Sequence, residues 1–295
     1  MTSKTGVGTI AAIAVSVVWG LSFVAARVAL TTLTPLLLAT LRFAIASLVF
    51  TPVIISAVRR GILTLLDLRE LALLGLLSIT VYFYLQYTGV KYAGAGISAL
   101  LVVGLIPVLT GVASMVLLRE KFGIEKQFGI GLGLLGVAFI ALPKLILGDV
   151  DVLFYLGVGS LLADSLLFAL YSTMSRRIVN RLNTPIVVTA YPMVMGTLAL
   201  IPLSVTSDWT LIRALTFDQW LSILYLSLVC SCLGYFLWSF ALSKLEAVNA
   251  AVWLYLEPVA AFIGEAIIFG TMPTPATLIG GGFIVIGAIL TNRRG

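Results

Sequence analysis

ALLVVGLIPV at residues 99–108 and AAVWLYLEPV at residues 250–259 are one stretch written twice. Laid over itself at an offset of 151 residues, the chain also matches Tyr84 with Tyr235, Ala99 with Ala250, Pro107 with Pro258, Gly129 with Gly280, Gly131 with Gly282 and Gly136 with Gly287. Earlier in each half an offset of 150 pairs Arg27, Thr34, Pro35 and Pro52 with Arg177, Thr184, Pro185 and Pro202. The sequence is therefore a duplicated unit, with a first copy over residues 1–147 and a second over 148–295. An internal repeat of this length has to be recognised before any local assignment, because it sets the architecture.

Composition places the duplication in lipid. The chain is 61% hydrophobic and 10% charged, against about 25% charged for soluble domains. Runs of roughly 17–25 apolar residues suffice to cross a bilayer as helices. Ten can be drawn, over residues 7–30, 35–58, 70–91, 94–118, 127–147, 153–175, 184–206, 218–242, 247–270 and 274–291. The expected fold is an all-α polytopic membrane protein whose ten transmembrane helices form two five-helix repeats. Connections are short and leave no room for a soluble domain. The first apolar run is too long for a secretory signal and carries Trp19 and Arg27, so it reads as a mature helix.

With the N-terminus inside, thirteen basic residues fall on inner segments: Lys4, Arg59, Arg60, Arg69, Arg119, Lys121, Lys126, Arg176, Arg177, Arg181, Lys244, Arg293 and Arg294. Lys91, Lys144 and Arg213 fall on outer loops, and Arg27 and Arg42 near the outer ends of the first two helices. Positive-inside bias then puts both termini in the cytoplasm. Five spans is an odd number, so the second copy enters from the opposite side and the repeats are inverted. Inverted repeats that share a central site permit alternating access. The net charge of +6 is explained by this topology and not by a nucleic-acid partner.

No histidine is present, which removes the usual general base, proton shuttle and metal ligand. Cys230 and Cys232, two apart on a helix, point to different faces and make neither a disulfide nor a metal site. No cofactor or metal is expected. A polytopic membrane enzyme would need a nucleophile with a base, or a carboxylate metal cluster. Asp149 and Asp151 form only a lone loop pair, so an enzyme is the remote alternative.

Three acids lie within spans: Asp164, Glu257 and Glu265. An ionised group at mid-bilayer costs roughly 2.5–3.5 kcal/mol even on the lenient scale, so each should face a partner or a wet cavity. Glu257 leads because Pro258 cannot donate to the carbonyl of Leu254, just as Pro107 leaves that of Val103 free. The two prolines are candidate hinges. Aromatic and amide groups concentrate on the third and eighth helices: Tyr82, Tyr84, Gln86 and Tyr87, then Tyr235 and Trp238. With Trp19 and Ser22 on the first helix, Ser98 on the fourth, Asp164 on the sixth and Trp253 and Glu257 on the ninth, they make the candidate binding set. The glycines of the fifth and tenth helices, Gly129 and Gly133 among them, permit close helix contact and leave monomer and homodimer both open.

Trp19-Gly20-x-x-Phe23, Arg42-Phe43, Arg119-Glu120-Lys121, the fifth-helix glycines and Glu257-Pro258 together resemble the drug/metabolite transporter superfamily, in its EamA-type ten-helix exporter branch. The resemblance covers nearly the whole chain. It departs at Gly270-Thr271, where the family often carries a Gly-Glu pair. It implies a multi-pass protein of the inner (plasma) membrane that exports small metabolites, with a central cavity formed mainly by helices one, three, four, six, eight and nine. Exporters of amino acids, aromatic ones included, are the functional class it suggests. The partners expected are a small-molecule substrate and the lipid bilayer. Sugar-phosphate or nucleotide-sugar antiporters and cationic-drug transporters of the same superfamily are the alternatives. The phosphate class calls for basic residues at mid-membrane, whereas Arg27 and Arg42 are expected towards one edge.

Overall fold

A computed structural model describes residues 3–93, 95–120, 123–147, 152–270 and 275–292. Glu265 is described in its backbone alone, and Asp149 and Asp151 lie outside the described residues. Among these residues all regular structure is helical, in ten rods and two short 3-10 segments, Ser204–Thr206 and Trp209–Ala214. They are α1 Ser3–Ala29, α2 Pro35–Arg59, α3 residues 65–93, α4 Ala95–Leu118, α5 Ile124–Leu147, α6 Val152–Leu182, α7 Pro185–Leu203, α8 residues 217–242, α9 residues 247–269 and α10 Pro275–Asn292. Eight are long and apolar enough to cross a membrane, which makes this an all-helical polytopic fold.

The rods begin and end where backbone chemistry dictates. Thr34 accepts a hydrogen bond from the N–H of Leu37 at 3.3 Å, and Pro35 fills the first position of α2, where no N–H is needed. Thr184-Pro185 repeats the proline at the start of α7. A capping box of Thr64 and Asp67 opens α3, and one of Thr216 and Gln219 opens α8. Gly270, at φ +68°, ends α9 in the left-handed conformation that glycine adopts without strain.

Both α3 and α8 widen to π-helix in mid-course, at Leu76–Val81 and Tyr225–Gly234. In each case the α-helix resumes on a tyrosine, Tyr82 or Tyr235. Such insertions rotate the residues that follow and are frequent at functional sites. In the second, the Ser231 hydroxyl donates to the Leu226 carbonyl, five residues back, at 3.0 Å.

Packing maps onto itself when each helix is exchanged for the one five places on. α1 lies against α9 and α8 as α6 lies against α4 and α3; α2 faces α7, and α5 runs along α10. Repeat mates touch one another in two places. Ser47 and Thr197, 150 apart, share a hydrogen bond of 2.8 Å. The Tyr255 hydroxyl donates to the carbonyl of Gly104, 151 residues earlier, at 3.4 Å. Ion pairs clasp the two halves at one end: Arg176 with Glu120 at 2.5 Å, Arg181 with Asp67 and Glu70 at 2.5 and 2.6 Å, and Lys126 with Glu246. At the other end the Gln219 amide donates to the hydroxyls of Thr31 and Thr32, each at 2.8 Å.

The two candidate hinges differ. α4 runs unbroken through Pro107, whereas α9 tightens to 3-10 geometry over Val252–Tyr255 just before Pro258. The tighter turn offers shorter-range bonds to the stretch whose α-helical partner Pro258 removes.

Candidate functional site

Between the halves lies a partly open cavity. Its wall is Trp19, Ser22 and Phe23 from α1, Arg42 from α2, Tyr82, Phe83 and Gln86 from α3, Val102 and Ile106 from α4, Phe168 from α6, Tyr235 from α8 and Glu257 from α9. The six expected helices all contribute, and α2 joins them through Arg42.

The aromatic part is built around Trp19. Its indole N–H donates to the Cys230 carbonyl at 3.0 Å, a bond made possible because Gly234 has no side chain to fill the indole's seat. The ring meets Tyr235, Trp238 and Phe168 at centroid distances of 5.2, 5.6 and 5.7 Å, and Phe168 continues to Tyr82 at 5.7 Å. Rings at these spacings add attraction beyond the area they bury. The Gln86 amide donates to the Tyr82 hydroxyl at 2.7 Å, and Ser22 donates back to the Trp19 carbonyl at 2.6 Å.

Glu257 reaches the cavity because α1 presses against it at Gly20, where any side chain would overlap the Glu257 carbonyl. Glu257 is 5% exposed, and its carboxyl group makes no hydrogen bond or ion pair among the described residues. Its repeat mate, Ile106, lines the same cavity, so one position supplies an apolar group from one half and an acid from the other.

Of the residues anticipated from sequence, Trp19, Ser22, Tyr82, Gln86, Tyr235 and Glu257 share this wall. Ser98, Asp164, Trp238 and Trp253 do not. Ser98 is fully buried in α4, and Trp238 is a fully buried support for the Trp19 and Phe168 rings. Trp253 is half-buried, with no hydrogen-bond partner for its indole N–H among the described residues. Asp164 is completely buried, and neither carboxyl oxygen has a partner there. Tyr84 points away, 49% exposed.

One charged residue of the wall lies outside the set anticipated from sequence. Arg27 is exposed, as a residue near a helix end should be, but Arg42 is 2% exposed and lies in the cavity wall. Its Nε donates to the Ser231 hydroxyl at 2.7 Å and its Nη1 to the Tyr87 hydroxyl at 2.8 Å, while Phe83 and Phe43 flank the guanidinium at 4.5 and 5.0 Å. The long side chain carries the charge inward from a backbone position that a linear count puts near a helix end. Phe23, Phe83, Val102, Ile106 and Phe168 were also missed. Helical phase could have found Phe23, one turn beyond Trp19, and Phe83, three residues before Gln86; the others are indistinguishable in sequence from lipid-facing residues.

An all-helical bundle with a polar and aromatic cavity between matched halves is the architecture of a membrane transporter. The sequence pattern of the EamA-like transporter family matches residues 6–142 and again residues 155–293. The chain belongs to this family, and so to the drug/metabolite transporter superfamily and to the multi-pass membrane proteins, which in bacteria occupy the inner membrane. An uncharacterized transporter of Archaeoglobus fulgidus is 30% identical over 278 residues, 94% of this chain and 95% of its own length. A probable terminal-alkyne amino-acid exporter of Streptantibioticus cattleyicolor is 28% identical over 231 residues, 77% of this chain and 74% of its own. A crystal structure with 20% identity matches 99% of this chain and 97% of its own at a TM-score of 0.77, a likeness of fold alone.

Proposed function

We propose that this protein exports small metabolites, amino acids above all, aromatic or hydrophobic ones included, by alternating access of the central cavity. The halves 1–147 and 148–295 act as inverted five-helix repeats, with both termini in the cytoplasm. The observation that carries this is Glu257: an acid with no partner among the described residues, 5% exposed, in a cavity otherwise walled largely by aromatic and aliphatic groups. A substrate ammonium next to Glu257 gains the charge partner that the protein withholds, and the rings accept side chains of varied shape. The Streptantibioticus relative supports an amino acid as cargo.

Counterflow in proteoliposomes tests this. Glu257→Gln should slow exchange of a neutral amino acid such as L-phenylalanine by about tenfold or more, the consequence of losing a charge-assisted bond of about 1.5–3 kcal/mol. Exchange at the wild-type rate removes the role of Glu257.

A further inference from the structure

We infer that Arg42, framed by Tyr87, Ser231 and two phenylalanine rings, is a carboxylate-binding subsite. The inference deepens the export reading above and rests on it for the second charge, Glu257. A buried ion is normally paired, because transfer out of water costs more than neutral hydrogen bonds return. Arg42 is 2% exposed, yet no carboxylate comes within 4.0 Å of it among the described residues. A guanidinium has five N–H donors; the bonds to Ser231 and Tyr87 use two of them, leaving three without a partner among the described residues.

Its frame fixes the plane of the group. The Ser231 and Tyr87 hydroxyls hold two donors at 2.7 and 2.8 Å, and the rings of Phe83 and Phe43 flank it at 4.5 and 5.0 Å. An immobilised planar fork in a cavity wall matches the two oxygens of a carboxylate. Ser231 belongs to the π-helical stretch of α8, so the local widening of that helix helps to build the frame.

Arg42 and Glu257 line the same cavity without forming an ion pair with each other. One cavity thus presents a guanidinium and, apart from it, a carboxyl group. A molecule with one carboxylate and one ammonium satisfies both. A dianionic phosphate meets repulsion from Glu257, and a purely cationic drug meets repulsion from Arg42, so the pair selects against both alternatives by charge.

The test is competition for L-phenylalanine counterflow in proteoliposomes by three analogues: L-phenylalanine amide, which lacks the carboxylate; N-acetyl-L-phenylalanine, which lacks the ammonium; and phenylpyruvate, a monocarboxylate without nitrogen charge. The wild type should prefer the acid to the amide by roughly 30-fold or more, the scale on which removing one partner of a buried charge pair acts. Arg42→Gln should erase that preference while keeping discrimination against the N-acetyl compound. Glu257→Gln should do the reverse. Arg42→Lys, which keeps the charge but not the fork, should fall between wild type and Arg42→Gln. Equal losses for acid and amide in both Arg42 variants, or an undiminished preference in Arg42→Gln, would overturn the subsite and leave Arg42 a structural tie. If the wild type moves no amino acid, the export reading itself has failed. Direct binding of phenylpyruvate, followed by tryptophan fluorescence, then decides the subsite alone: sensitivity to Arg42→Gln upholds it and insensitivity refutes it.

Discussion

Replacing Gly20 by alanine adds one methyl group at the tightest point of the α1–α9 contact. That methyl would overlap the Glu257 carbonyl and stand 2.7 Å from the Ala260 Cβ and 3.0 Å from the Glu257 Cα. Two of the three obstacles are backbone, so relief requires the helices themselves to part. Overpacking of this kind costs about 1–3 kcal/mol, equivalent to a roughly 5- to 150-fold shift in a conformational equilibrium. Alanine also raises helix propensity by about 1 kcal/mol over glycine, which masks part of the cost. Gly131→Ala supplies the control, because a Cβ there meets nothing within 4 Å. The difference between the two variants isolates the collision. Thermal unfolding in detergent should rank Gly131→Ala above Gly20→Ala, and counterflow should fall in Gly20→Ala because Glu257 is displaced with the backbone it stands on. A Gly20→Ala protein as stable and as active as Gly131→Ala would show that α1 and α9 do not meet this closely.

Two further outcomes follow from the ends of the bundle. Glu120→Gln should destabilise the clasp with Arg176 by about 1.5–3 kcal/mol, because both side chains are largely buried, at 10% and 18% exposure. It should stop short of a fully buried pair's loss, since Arg176 keeps the Leu242 carbonyl at 3.0 Å; the exchange Glu120→Arg with Arg176→Glu should restore the melting temperature only in part, because a glutamate at 176 cannot donate to that carbonyl. In the 204–216 connection, the Thr210 hydroxyl and N–H hold the Asp208 carboxyl below the usual carboxylate range. A depressed value means that the cap contributes fully above the unfolded carboxylate's range and is lost as pH falls through the folded value. The Trp209 fluorescence should therefore stay constant through mild acid and change only below it in the wild type, and Asp208→Ala should remove that transition without altering transport.

Some features were legible because chemistry writes them into short stretches of sequence. Apolar runs gave the helices, since an unsatisfied backbone in lipid leaves no other long element. The doubled ALLVVGLIPV motif gave the equivalence of α4 and α9, and the Thr-Pro pairs at 34–35 and 184–185 marked α2 and α7 as repeat mates. Trp19, Tyr82, Gln86, Tyr235 and Glu257 stood out as polar or amphipathic groups that lipid does not favour. The π segments that precede Tyr82 and Tyr235 carried no such signature. Nor did the unequal response to the two prolines, which depends on what packs beside each helix.

By itself the sequence determined a duplicated, membrane-embedded helical protein and most of the polar residues around which its site is organised, because helix formation and lipid burial depend on local composition. Only the tertiary structure decided that Arg42 belongs with Glu257 while Asp164 and Trp238 stand behind the wall. The physical reason is reach and rotation: a seven-atom side chain, a π insertion or a glycine contact moves a charge between an edge, a core and a cavity. Such displacements span several ångströms, and they arise from neighbours hundreds of residues away in the chain.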